Sequence, residues 1–170
     1  MTSRGAPIRC LLLAASLLTT FVGASRPVAA AGPDVRVRLL APTRVSAGRT
    51  ATVALELALG RGWHVNSHTP SRSYLIPTTA TLSTSIGALS DVRYPKHVEK
   101  RFEFSDAPLA VYEGTVWFDA ELTIPDAVLG KVDLTGVVSY QPCNEQQCFA
   151  PATAKVEATL TVARPPSGES

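Results

Sequence analysis

The chain has 170 residues, with 16 basic and 14 acidic side chains, 45% hydrophobic residues and three cysteines. That length supports one domain with a core of its own, so no disulfide is required to hold a fold together. Near-neutral charge excludes an electrostatic case for nucleic acid or an anionic membrane as partner, and the sequence holds no phosphate loop, nucleotide-binding pattern or Ser-His-Asp order.

At the N-terminus, Arg4 and Arg9 precede an apolar run from Leu11 to Val22, and small residues follow at Ala29, Ala30 and Ala31. This is the pattern of a secretory signal peptide over residues 1–31, with cleavage after Ala24 as the alternative. The run is shorter than the ~20 apolar residues a membrane-crossing helix needs, and retention as an anchor stays open. Cys10 precedes the run without a small-residue box before it and does not resemble a lipidation site. Loss of the leader removes Arg4, Arg9 and Arg26 but no acid, leaving 13 basic residues against 14 acidic ones. Cys143 and Cys148 then remain as neighbours in an oxidising compartment, so a periplasmic or secreted location is expected.

From residue 32 onward no stretch sustains helical periodicity. Val35, Val37 and Leu39 alternate with Arg36 and Arg38, which predicts a half-buried strand, and Pro42 to Gly48 reads as a turn. Val53, Leu55, Leu57 and Leu59 alternate with Ala54, Glu56 and Ala58 in a second strand, ended by Gly60-Arg61-Gly62. Trp63 to Asn66 predicts a third; Thr78 to Leu82 and Leu89 to Tyr94 predict two more. Thr115 to Ile124 is a strand ended by Pro125, and Asp119 and Glu121 read as its solvated face. Val132 to Tyr140 and Ala154 to Val162 complete the set. Eight or nine short strands with frequent turns predict an all-β fold, an immunoglobulin-like antiparallel β-sandwich over residues 32–163. The polar tail, residues 164–170, is expected to be disordered.

Between the last two strands lies Ser139 to Pro151, S-Y-Q-P-C-N-E-Q-Q-C-F-A-P. Its spacing puts Cys143 and Cys148 at the neck of a β-hairpin, where opposed Cα atoms lie about 4.5–5.5 Å apart and a disulfide forms readily. Closing so short a loop stabilises by roughly 2 kcal/mol, against about 4.5 for a bridge spanning ~80 residues. A short exposed bridge suits exchange better than stapling, yet spacing alone leaves a structural cross-link equally open. The loop carries Glu145 and no cation, and a carboxylate raises a thiol pKa, so no strongly activated thiolate is expected at Cys148. His64, His68 and His97 with the two thiols suffice for a metal site on paper, but the i, i+4 pair lies in strand and loop rather than helix.

The same hairpin resembles the N-terminal periplasmic domain of the thiol:disulfide interchange protein DsbD, through Tyr140-Gln141-x-Cys143 and Cys148-x-x-Pro151. The stretches Gly62 to Thr78 and Val111 to Val116 resemble that family too, so the similarity covers most of the chain after the leader, in order. It implies the same immunoglobulin-like fold and a redox-active Cys143–Cys148 pair, in which Cys148 bonds the partner and Cys143 resolves the mixed disulfide. It further implies thioredoxin-like proteins as partners and exchange chemistry that needs no bound cofactor. A phenylalanine-bearing cap loop is expected near Lys100 to Ala110, with Phe102 and Phe104 both candidates and a plain edge strand as the alternative. Where the family places an aromatic pair beside the cysteines, this chain has His64 and Asn66, which leaves the tuning of the thiols open. In the full-length family a multi-span membrane domain and a thioredoxin-like domain follow. The chain is therefore read as a stand-alone domain, a monomer, with a separate membrane thiol-electron transporter among its partners. The competing expectations are a non-catalytic secreted immunoglobulin-like binding module with a structural disulfide and, third, a metal-binding module.

Overall fold

The computed structural model describes residues 32–166. The expected leader, 1–31, and the last residues of the expected tail, 167–170, lie outside the described residues. In chain order the strands are β1 (Val35–Leu40), β2 (Arg44–Ser46), β3 (Thr50–Leu59), β4 (His64–Asn66), β5 (Thr79–Thr84) and β6 (Ala88–Leu89). They continue with β7 (Val98–Lys100), β8 (Leu109–Glu113), β9 (Thr115–Thr123), β10 (Gly130–Tyr140), β11 (Pro142–Cys143) and β12 (Ala152–Ala163).

Where apolar residues alternate, the strands fall as expected: along most of β3, β9 and β10 every second side chain is buried, and in β1 and most of β12 half-buried side chains alternate with exposed ones. Four strands leave no such trace in the sequence. The Leu109–Tyr112 run of β8 is buried throughout, so it lacks the alternation of a half-solvated strand. Short β2, inside the expected turn, exists because it pairs in parallel with the end of β12 at Thr161–Ala163. β7 and β11 are likewise short edge additions. β6 is shorter than expected, because the Glu121 amide donates to the Ser90 hydroxyl (3.0 Å) and the chain rejoins β9 only at an Arg93–Asp119 bridge.

Two sheets, β1-β3-β9-β6 and β2-β12-β10-β5, face each other as an all-β immunoglobulin-like sandwich. Leu55, Leu57, Phe118 and Leu122 from the first sheet and Val132, Leu134, Val138 and Leu160 from the second are 0–1% exposed. Fully burying such a side chain stabilises by about 1.5–3 kcal/mol, so this interior carries the fold. The sheets meet most tightly at Gly136 of β10, where a Cβ would lie 2.3 Å from Leu55 Cδ2. Leu55 is fully buried, so its side chain would have to shift within the core to admit a methyl group. Gly136→Ala is therefore expected to lower the unfolding free energy by about 1–3 kcal/mol through overpacking. Denaturant unfolding would show this, and an unchanged midpoint would mean that the sheets separate freely there.

A third sheet, β11-β4-β8-β7, is assembled at one end of the sandwich from continuations of both layers. β4 continues β3 after the Gly60–Trp63 turn, β8 leads into β9, and β11 continues β10 after Gln141. Gly114, between β8 and β9, has φ 65°, a conformation disfavoured for residues with a Cβ, and its carbonyl accepts the Leu59 amide at 2.8 Å. That bend lets β8 leave the first sheet and pair with β4 on one side and β7 on the other.

Candidate functional site

The cysteine segment departs from a simple hairpin. The β10–β12 ladder ends at Tyr140 and Ala152, and the cysteines lie beyond it, on a smaller hairpin that turns away to join the third sheet. Asn144 closes this small hairpin: its side-chain oxygen accepts the Gln146 and Gln147 amides at 2.9 Å, and its amide donates to the Gln147 carbonyl at 2.9 Å. At the base the Phe149 amide donates to the Pro142 carbonyl (2.8 Å), and Gln141 Nε2 donates to the Phe149 carbonyl (3.0 Å). Cys143 and Cys148 are thereby directly opposed and disulfide-bonded, with Cα atoms 4.0 Å apart.

The two cysteines differ sharply in access. Cys143 is 1% exposed, held in β11 against β4, whereas Cys148 lies on the exposed outer arm. Phe149, next to Cys148, packs against Trp63 with ring centroids 5.2 Å apart.

His64 lies opposite Cys143 in the β4–β11 ladder and is 2% exposed. Its ring stacks on Phe102 at 4.3 Å, and Phe102 in turn stacks on Phe104 at 5.1 Å. The three rings form a column from the buried sheet to the surface, each contact worth about 0.5–1.5 kcal/mol beyond area burial. Phe102 is 3% exposed and packs with Leu109, Val111 and Leu75, while Phe104 is 51% exposed. The segment expected to be either cap or edge strand divides at Lys100: β7 ends there as the sheet edge, and Phe102 and Phe104 follow in the loop after it. Of the two candidates, Phe102 is thus a buried anchor and Phe104 the one that lies outside.

Lys100, at the end of β7, ties the pieces together. Its Nζ donates to Glu113 Oε1 of β8 (2.5 Å) and to Glu145 Oε1 of the cysteine loop (2.9 Å), and lies 5.3 Å from the Phe102 ring centroid. These carboxylates raise the Lys100 pKa, keeping it charged. Glu145, read from sequence as a carboxylate without a nearby cation, is thus paired with a lysine 45 residues away. Burial, then the Lys100 charge, lowers the His64 pKa, and Glu113 and Glu145 oppose this. The ring is therefore neutral at pH 7.

The other sequence candidates do different work. Asn66 is 2% exposed, and its Nδ2 donates to the Ile76 carbonyl at 3.0 Å, clipping the loop that follows β4. Tyr140 is 9% exposed, part of the sandwich core, and burial raises its pKa. His68 stacks on Tyr94 at 3.6 Å, and His97 Nε2 lies 3.3 Å from Glu99. The three histidines thus have separate surroundings, and among the described residues no three His, Cys, Asp or Glu side chains gather as metal ligands. Arg93 bridges Asp119 and Glu121 on the solvated face of β9. Sequence reasoning missed Lys100 and Glu113 as site residues, because nothing local distinguishes them from any solvated pair.

The sequence model of the family described as "Thiol:disulfide interchange protein DsbD, N-terminal" matches residues 36–160. Among solved structures, the N-terminal periplasmic domain of ScsB from Proteus mirabilis is similar with a TM-score of 0.50 and 18% identity, over 72% of this chain and 45% of that one. The chain thus spans less than half the length of that relative. The reduced N-terminal domain of DsbD from Neisseria meningitidis aligns at 20% identity with a TM-score of 0.42, over 74% and 85% of the two chains. At 18% identity the first of these likenesses speaks for the fold alone. No curated protein matches the chain by sequence.

Proposed function

The chain belongs to the family of the N-terminal domain of the thiol:disulfide interchange protein DsbD, and from that premise we propose that it relays electrons through Cys143 and Cys148 to or from thioredoxin-like proteins. The observation that carries this reading is the unequal access of the two sulfurs: Cys148 is on the exposed arm and Cys143 is 1% exposed. A partner thiolate attacks Cys148 Sγ, the Cys143–Cys148 bond breaks, and Cys143 leaves as the thiolate. In the other direction the Cys148 thiolate attacks a partner disulfide, and Cys143 then displaces the partner to restore the internal bond. Each step exchanges one S–S bond for another, so the chemistry calls for no bound cofactor. The open cysteine arm suits a protein partner, and Lys100 is tied to that arm through Glu145.

An exported, periplasmic setting with a cleaved leader belongs to the same proposal, as do a monomeric state and a separate membrane thiol transporter as electron source. In that setting a relay disulfide must be reducible without cost to the fold. Equilibration with dithiothreitol should give a reduction potential above about −300 mV, because structural disulfides typically lie below that value. The sheet circular dichroism should persist in the reduced protein, since the sandwich core holds without the bridge. A lower potential, or loss of the sheet signal on reduction, would instead mark a binding module with a structural cross-link.

A further inference from the structure

His64 is the one buried side chain at the site whose chemistry the relay leaves unused. Its Nδ1 is enclosed and has no hydrogen-bond partner. An unsatisfied buried nitrogen costs about 1–3 kcal/mol, so its placement calls for a reason. The β-ladders supply one: His64 lies directly opposite Cys143 on one side and directly opposite Glu113 on the other. Residues opposed in this way share a face, with Cβ atoms about 4.5–5.5 Å apart. A thiol, an imidazole and a carboxylate therefore stand in one row across β11, β4 and β8, the order in which nucleophile, base and orienting acid are arranged in thiol enzymes.

Resting on the relay reading, we propose that His64 is the general base that deprotonates Cys143 when the mixed disulfide is resolved. Buried as it is, Cys143 has poor access to hydroxide, and a thiol of ordinary pKa is only a few per cent ionised at neutral pH. The proton passes from Cys143 Sγ to the imidazole. The thiolate then attacks Cys148 Sγ, the Cys143–Cys148 bond forms, and the Cys148–partner bond breaks. The partner leaves as its thiolate and takes up a proton from the imidazolium or from water. Stacking on Phe102 fixes the plane of the ring. The charges around it are Lys100 from β7, Glu113 from β8 and Glu145 from the cysteine loop, and Lys100 is paired with both acids. With Lys100 in place the ring stays neutral, and so able to accept a proton, at pH 7.

Dipyridyl disulfide tests this without a protein partner. The reduced protein should release thiopyridone twice: first as exposed Cys148 is modified, then, at a rate independent of reagent concentration, as Cys143 closes the internal disulfide. In the native protein the second rate should be level through neutral pH and fall only below the ordinary imidazole value of 6.5, because the shift of His64 is downward. In His64→Gln and His64→Phe, the latter preserving a ring against Phe102, it should be ~10–100-fold slower at pH 7. It should then climb about tenfold per pH unit and approach the native rate once the thiol ionises unaided, above about pH 9. Equal rates at pH 7, slowing by one factor at every pH, or a native rate that itself climbs tenfold per unit through neutrality would each overturn the proposal. A native protein with no reagent-independent phase would instead defeat the relay reading on which it rests.

Discussion

Cys143→Ser should accumulate a covalent complex with a thioredoxin-like protein on a non-reducing gel, whereas Cys148→Ser should form none and transfer no electrons. The argument is one of access and reach. Cys148 stands on the exposed arm, where an incoming sulfur can align with it, and Cys143 lies beneath, pinned in β11 with 1% exposure. Once a partner is bonded to Cys148, Cys143 is the sulfur positioned to attack, since the opposed backbone holds the two Cα atoms 4.0 Å apart. Serine at 143 removes that second nucleophile while filling nearly the same volume, so the intermediate persists. Serine at 148 leaves a thiol that a partner cannot reach. The difference between the variants should be all or none. Trapping by Cys148→Ser instead would reverse the two roles, and trapping by neither, with a competent partner present, would remove the relay reading.

Phe102→Ala and Phe104→Ala should separate stability from shielding. Phe102 is 3% exposed among Leu109, Val111 and Leu75 and also carries His64 on its face, so its truncation should cost about 3–5 kcal/mol. Phe104 is 51% exposed and stacks on Phe102, so removing it should cost no more than about 1 kcal/mol. If the loop shields the cysteines, Phe104→Ala should speed iodoacetamide labelling of the reduced pair several-fold at unchanged fold, as read by mass spectrometry against time. An unchanged labelling rate in a folded Phe104→Ala protein would place the shield elsewhere. A wild-type unfolding midpoint for Phe102→Ala would mean that the ring column does not anchor the loop.

Much of this architecture is local in origin, and that part was legible. Alternation along Val53–Leu59, Thr115–Ile124 and Val132–Tyr140 is set by the two-residue period of a strand with one face in the core, so it stands in the chain itself. The five-residue separation of Cys143 and Cys148 around a polar loop likewise announces an opposed pair. Tertiary structure alone decided the rest. β8 has no period to read because both its faces are covered, and the bend at Gly114 that carries β9 into it shows only as a glycine. Which cysteine is buried depends on β11 leaving its own hairpin to pair with β4, a choice made by sheet edges rather than by neighbours in sequence. The row of Cys143, His64 and Glu113 and the pairing of Lys100 with Glu145 join residues from separate segments. Cross-strand register determines those meetings, and register is a property of the assembled sheet: a slip of one residue would turn every one of these side chains to the opposite face.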